Sequence, residues 1–162
     1  MRLRAVLDTS VLLGAQRHEL IYLAKKKVYI ALWCSFLIGE VARVRTERAI
    51  EHHQDRKIYR ARVNLLISQL SEVMTFVNYR RFEGGTHTRW LTDSDDEPLL
   101  AAALVGKAQY IVSANTRDFP PNGLWAGVRY LTAPDFIAEL YSQHPRGAAL
   151  HNRFTTEDYR IP

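Results

Sequence analysis

Leu3-Arg4-Ala5-Val6-Leu7-Asp8-Thr9-Ser10 is a short, nearly apolar run that ends in three polar residues. The run predicts a strand of a buried parallel sheet, because such strands are apolar on both faces. Ligands of open α/β sheets bind beyond the carboxyl ends of the strands, and Asp8 stands at such an end. The alternative is that Asp8 caps a helix that continues from Val11. These residues alone leave both roles open for Asp8.

Strand and helix patterns alternate along most of the chain. The alternation predicts an α/β fold with helices on both faces of a central, mainly parallel sheet of four to five strands. Residues 143–162 lack periodicity and are interpreted as a C-terminal tail or arm after a domain that spans residues 1–142. The later predicted strands are 28–33, 72–79, 109–112 and 128–131, and the predicted helices are 16–27, 35–47, 51–69, 98–105 and 136–141.

The composition is that of one ordinary globular domain of 162 residues with 47% hydrophobic residues. No apolar run reaches the roughly 20 residues of a membrane span, and no signal-peptide pattern stands at the N-terminus. The single cysteine, Cys34, cannot form an internal disulfide, so we expect a cytoplasmic protein that contacts no membrane. Lysine and arginine exceed aspartate and glutamate by 22 to 17, which favours polyanionic partners only mildly.

An acidic stretch, Thr92-Asp93-Ser94-Asp95-Asp96-Glu97-Pro98, precedes an alanine-rich helix. Acids and a serine before a helix satisfy its first N–H groups, and proline fits the first turn, so helix capping is one explanation. Capping needs only one or two acids, however, and mutual repulsion penalises the rest. The surplus of carboxylates therefore suggests a bound cation as the second explanation.

Glu40 lies within the apolar stripe of its predicted helix, because Phe36, Glu40 and Val44 are successive i, i+4 neighbours. A carboxylate on the coreward face is costly unless it is paired, protonated or bound to a metal. The alternative to a site residue is an ion pair with Arg43 or Arg45. This inward glutamate is the strongest single-residue signal in the chain.

Polar residues also follow the predicted strand 109–112, among them Ser113, Asn115 and Asp118. A turn before Pro120 is an equally good explanation of Asp118 by its local sequence. The carboxyl ends of parallel strands share one edge, so Asp8, the acidic stretch and this loop can converge with Glu40 on one pocket. Oxygen donors with neither cysteine nor histidine at ligand spacing suit Mg²⁺ or Mn²⁺, and a carboxylate-held pair of such ions is the usual apparatus of phosphodiester hydrolysis.

The basic residues before and within the predicted helix 51–69 form either a polyanion-facing surface or an ordinary solvated helix face. No glycine-rich phosphate loop occurs, which argues against a nucleotide-cofactor enzyme. A phospho-aspartate enzyme commonly has a second acid two residues after the first, and Ser10 stands there instead. The basic residues concerned are Arg43, Arg45, Arg48, Arg56, Lys57, Arg60 and Arg62.

Four segments in order resemble the motifs of PIN-domain ribonucleases, and most closely the VapC-like toxin branch of toxin–antitoxin systems. A fifth segment, Leu131–Phe136, resembles the closing strand-to-helix step of these proteins. The resemblance covers about residues 3–142 and implies a PIN-like three-layer α/β/α fold; the tail lies outside it. The four segments are Leu7–Leu12, Phe36–Val44, Asp93–Ala103 and Ile111–Pro120.

The resemblance implies that Asp8, Glu40 and Asp96 are the first three metal-binding acids. The match of Asp-Asp-x-x-Leu-Leu-Ala-Ala-Ala favours Asp96 over its neighbours, which stay alternates because they are consecutive acids. The fourth position falls to Asp118 or Asn115, since this chain has an amide where the commonest form of the family has an aspartate. The alternates for the third position are Asp95 and Glu97, and the groups expected to orient the acids are Thr9, Ser10 and Ser113.

The function implied is a metal-dependent endoribonuclease, the toxin of a toxin–antitoxin pair, that uses Mg²⁺ or Mn²⁺ and leaves a 5′-phosphate and a 3′-hydroxyl. Its implied partners are RNA, a small antitoxin protein and a second copy in a homodimer. Asn115 keeps one rival open, because an amide binds a cation less strongly than a carboxylate. That rival is a catalytically degraded PIN-like module that only binds RNA or protein.

Overall fold

The computed structural model describes residues 2–79, 97–115 and 123–156, and its centre is a six-stranded sheet. The strand order is β3-β2-β1-β4-β6-β5, and every pairing is parallel except that between β5 and β6. The expected α/β fold with a mainly parallel sheet is thus confirmed. The strands are β1 (Arg4–Leu7), β2 (Ile30–Trp33), β3 (Thr75–Phe76), β4 (Tyr110–Val112), β5 (Leu124–Trp125) and β6 (Val128–Leu131).

The described helices cover both faces of this sheet. The chain moves outward across the sheet from β1 to β2 to β3 and then returns past β1 to β4. Because connections between parallel strands are right-handed, the helices of the outward connections and those of the return connection lie on opposite faces of the sheet. The return connection carries α5, which packs on β1, β2 and β4. The described helices are α1 (Thr9–Leu12), α2 (Arg17–Lys25), α3 (Ser35–Glu51), α4 (Arg56–Val73), α5 (Glu97–Val105), α6 (Ala133–Gln143) and α7 (Gly147–Thr156).

The core includes the contact between α5 and the central strands. Val6 of β1 and Ile111 of β4 have no exposed surface, as expected for strands covered on both faces. Ala102 and Ala103 of α5 are also fully buried. Their small side chains let the helix approach the sheet closely, which fixes the ends of β1 and β4 beside each other.

Several boundaries differ from those predicted. The sheet has one strand more than the four to five expected, because β5 is only two residues long and too short to leave a pattern. The expected strand 72–79 shrinks to Thr75–Phe76, since α4 continues to Val73. The predicted helix 51–69 begins later, at Arg56, where Asp55 caps it by accepting hydrogen bonds from the N–H groups of Lys57 and Ile58 at 2.8 and 3.1 Å.

The described part of the expected tail is a helix rather than an irregular arm. α7 packs against α6, and the ring of Phe154 lies 5.4 Å from that of Tyr22 on α2. A division into domain 1–142 and tail 143–162 stays a prediction. No helix in the described ranges combines the length and the apolar character that a bilayer crossing requires.

Candidate active site

The carboxyl ends of β1 and β4 meet at one point of the sheet edge. Leu7 is paired with Val112, and the N–H of Asp8 donates to the carbonyl of Val112 at 3.0 Å. This bond continues the ladder one residue beyond β1. Asp8 therefore lies beside Ser113 and the loop that follows β4, as the two strand-end motifs predicted.

The Asp8 carboxylate is held by two serine hydroxyls. Ser10 Oγ donates to Asp8 Oδ2 at 2.6 Å, and Ser113 Oγ donates to the same oxygen at 2.7 Å. Asp8 occupies the N-cap position of α1, yet its side chain makes no capping hydrogen bond. The alternative that the Asp8 carboxylate caps the helix is therefore wrong. Because both hydroxyls use Oδ2, Oδ1 is left to other ligands.

The same two serines anchor the backbone that follows β4. Ser10 Oγ accepts from the N–H of Ala114, and Ser113 Oγ accepts from the N–H of Asn115, each at 3.0 Å. Each serine thus donates its hydroxyl proton to the carboxylate and accepts one hydrogen bond from the loop. The arrangement fixes Asn115 relative to Asp8.

Glu40 is held to the same site by Thr9. Thr9 Oγ1 donates to Glu40 Oε2 at 2.9 Å, while Arg43 Nη2 lies 3.7 Å from Glu40 Oε1. The ion pair with Arg43 offered as an alternative is thus present, but it is long. Arg43 is nearer to Glu47, at 2.9 Å, and the hydrogen bond to Glu47 raises the pKa of the Arg43 guanidinium. Glu40 keeps 27% of its side chain exposed, so it faces an open cleft rather than the closed core.

Thr9 and Ser113 are the two buried polar side chains among the described residues once the tyrosines of the core are set aside. Each donates its hydroxyl proton to one of the two candidate acids, Glu40 and Asp8. Buried hydroxyls need partners, and carboxylates accept such charge-assisted bonds strongly. The buried hydroxyls of Thr9 and Ser113 therefore orient two carboxylates at one place.

A cleft of about 500 Å³ opens at this place. Phe36, Glu40 and Val44 line it as the helical spacing predicted, while Leu37 and Val41 of the same stripe are fully buried. The sequence analysis missed Arg48 as a cleft residue, although it continues the same i, i+4 row by one more turn. The other lining residues are Asp8, Thr9, Ser10, Leu13, Gly14, Leu99 and Asn115.

The donors in this cleft are oxygens, which suits a hard cation such as Mg²⁺ or Mn²⁺. In the described part of the chain no group of three or more histidine, cysteine, aspartate or glutamate side chains is placed to hold a metal. The described donors are the carboxylates of Asp8 and Glu40 and the amide of Asn115. Glu97 is the first residue of α5 and does not line the cleft. The predicted ligands Asp96 and Asp118, with the alternate Asp95, lie outside the described residues.

Comparison with protein families agrees with the fold. A family model described as a PIN domain matches residues 4–117. No curated protein matches the sequence. PIN domains are generally nucleases, so the match indicates a hydrolase that acts on nucleic acid. Because the match spans well over half of the 162 residues, the chain belongs to the PIN domain family.

Proposed function

We propose that this protein is a divalent-metal-dependent endoribonuclease whose reaction takes place in the cleft of Asp8 and Glu40. One observation carries the proposal: the buried hydroxyls of Thr9 and Ser113 both point their protons at these two acids. PIN-domain nucleases typically use divalent metals, which agrees with the oxygen donors of the cleft. A plain structural role would not need two oriented carboxylates beside an open cavity.

The proposed ligands of Mg²⁺ or Mn²⁺ are Asp8 and Glu40, completed by Asp96 and by Asp118 or Asn115. When bound, such ions activate water and offset the charge of the phosphodiester. The chain's own contribution is orientation, because Ser10 and Ser113 hold Asp8 in one rotamer and Thr9 holds Glu40.

The test is RNA cleavage by wild type and by Asp8→Asn, with Asp55→Asn as a matched control. Asp8→Asn keeps the shape and removes the charge, so cleavage in Mg²⁺ or Mn²⁺ should fall by at least about a hundredfold. Asp55→Asn makes the same change at a helix cap, where asparagine serves as well as aspartate, and should cleave normally. Equal cleavage by wild type and Asp8→Asn would refute the proposal.

The same proposal includes a toxin role with a small antitoxin. It also includes a homodimer and a cytoplasmic location. The toxin role, the antitoxin and the homodimer rest on the resemblance of the four motifs to VapC-like toxins, and the cytoplasmic location rests on the single cysteine, Cys34. Expression of wild type in a bacterial host should arrest growth, and Asp8→Asn should not. Growth arrest by both proteins, or by neither, would contradict the toxin role while leaving the nuclease proposal to the cleavage assay.

The second candidate is a PIN-like module that binds RNA or protein without cutting. Asn115 favours it, because this amide lines the cleft where the family commonly has an aspartate. Calorimetric titration with Mn²⁺ separates the two candidates. Saturable binding that Glu40→Gln weakens supports the nuclease, and no binding supports the module. Glu51→Gln, an exposed change on the same helix, is the control.

A further inference from the structure

A second cavity, of about 430 Å³, lies between α3 and α4. Its floor is a small apolar cluster of Ala49, Tyr59 and Val63, separate from the main core. The volume is within the range of ligand-binding cavities. The remaining lining residues are polar or cationic and comprise Arg45, Arg48, His52, Gln54 and Arg62.

The three arginines of this cavity form no ion pair in the described part of the chain. No described carboxylate lines the cavity, and no ion pair of Arg45, Arg48 or Arg62 is formed with the described residues. Arg43, on the same helix but outside the cavity, pairs with both Glu40 and Glu47. On α3, therefore, the arginine outside the cavity is paired with carboxylates, whereas Arg45 and Arg48 form no ion pair with a described residue.

Among the three arginines, Arg45 has a buried side-chain nitrogen, its Nε, without a hydrogen-bond partner in the described part of the chain. A buried donor without a partner is costly, and the cost is removed when an anion accepts from it. Burial lowers the pKa of the Arg17 guanidinium, and the positive charge of Arg45 lowers it further. This second effect indicates that Arg17 lies near Arg45. Arg17 thus adds positive charge beside Arg45.

The cavity adjoins the candidate active site at Arg48. This side chain lines both the cleft of Asp8 and Glu40 and the second cavity. A strand of RNA bound with one phosphodiester at the acids can therefore continue over α3 into the arginine-lined space. Arginine guanidiniums bind phosphate oxygens bidentately, and an apolar floor with a tyrosine suits a base or ribose.

We propose that the cavity between α3 and α4 is a binding subsite for the phosphate and nucleoside next to the cleaved bond of a single-stranded RNA. The subsite rests on the proposed nuclease function, because the cleft defines which end of the RNA enters it. Arg45 and Arg62 bind the flanking phosphate, and Arg48 links it to the cleft. The satellite cluster of Ala49, Tyr59 and Val63 contacts the nucleoside.

The experiment measures binding of a short, fluorescein-labelled single-stranded RNA to the full chain by anisotropy, in EDTA so that no cleavage occurs. Arg45→Gln and Arg62→Gln should each weaken binding by about tenfold. Each should also reduce the slope of log K against log salt by about 0.7, the value for one lost phosphate contact on a single strand. Arg60→Gln is the matched control, since it removes the same charge from α4 outside the cavity.

Three results would overturn the subsite. Unchanged RNA binding by Arg45→Gln and Arg62→Gln is the first. An equal loss in Arg60→Gln is the second, because it would indicate diffuse charge. The third is a larger loss of affinity for polyglutamate than for RNA in both cavity variants, which would assign the cavity to an acidic protein segment. Unaltered melting temperatures confirm that the variants fold.

Failure of the subsite and failure of the nuclease proposal are separable, because RNA binding is measured without metal. A chain that never cuts RNA but loses binding in the two cavity variants supports the RNA subsite and refutes the nuclease. A chain that cuts RNA and binds it equally in all variants overturns the subsite alone.

Discussion

The hydroxyl of Ser113 joins the two halves of the candidate site. It donates to Asp8 Oδ2 and accepts from the N–H of Asn115. Ser113→Ala removes both bonds, so we expect RNA cleavage to fall by about 10- to 100-fold, the usual effect of losing a group that orients a metal ligand. Ser142→Ala is the control, because this exposed hydroxyl donates to the carbonyl of Glu139 within its own helix. Cleavage by Ser113→Ala at the wild-type rate would contradict the orienting role.

Sequence reasoning at this scale located Asp8, Glu40 and Asn115, which the structure brings to one cleft. Periodicity sufficed for Glu40, because an acid in an apolar stripe violates a local rule. It could not decide between capping and a site role for Asp8, since the deciding partner, Ser113, is 105 residues away. Their roles as metal ligands, and those of Asp96 and Asp118, stay predictions.

Two glycines of the helices differ in what surrounds them, which predicts opposite effects of the same substitution. A Cβ on Gly39, within α3, would meet no atom within 4 Å, whereas on Gly147 it would lie 1.8 Å from the carbonyl oxygen of Tyr141. Gly39→Ala should therefore stabilise the fold by about 0.5–1 kcal/mol through helix propensity. Gly147→Ala should destabilise it by about 1–3 kcal/mol, because the turn from α6 to α7 must shift.

Thermal unfolding of the two variants checks this expectation. The melting temperature should rise by roughly 2–4 °C per kcal/mol for Gly39→Ala and fall for Gly147→Ala. An unchanged melting temperature for Gly147→Ala would mean that α7 does not pack on α6 as described.

Element boundaries were the least predictable part of the fold, for identifiable reasons. Residues 73–77 predict a strand because each of them is apolar or β-branched. The buried face of α4 continues through Leu66 and Leu70, however, and the helix extends to Val73. The cap that starts α4, Asp55, is a short-range signal that the sequence analysis overlooked. α7 has a weak pattern, and its packing depends on Phe154 reaching Tyr22, a contact no local window contains.

At the scale of the whole molecule, three tyrosines predict how stability changes at high pH. Burial raises the pKa of Tyr29, Tyr110 and Tyr141 above the ordinary 10.0, and carboxylates that accept from the last two add to the effect. A raised pKa in the folded state means that the neutral phenol is favoured there. The contribution is therefore fully present below pH 10 and is lost as the pH rises above it.

We expect the free energy of unfolding to fall above pH 10, with part of the phenolate absorbance appearing only together with loss of the circular-dichroism signal. Reversible titration of all eight tyrosines near pH 10 with an intact spectrum would contradict this expectation.

The sequence was most informative about the whole molecule, because the alternation of strands and helices fixes a parallel sheet and its functional edge. The number of strands and the cavity between α3 and α4 were not predictable. The cavity depends on the relative position of α3 and α4, and the pattern of charged residues in the sequence does not give that position.

The most direct test of the central claim is the linearisation of a circular single-stranded RNA, which only an internal cut can achieve. We predict that the full chain linearises it in Mg²⁺ or Mn²⁺, that EDTA stops the reaction, and that Glu40→Gln fails where Glu51→Gln succeeds. Linearisation at equal rates by wild type and Glu40→Gln, or an intact circle with wild type in either metal, would contradict a metal-dependent endoribonuclease centred on Asp8 and Glu40.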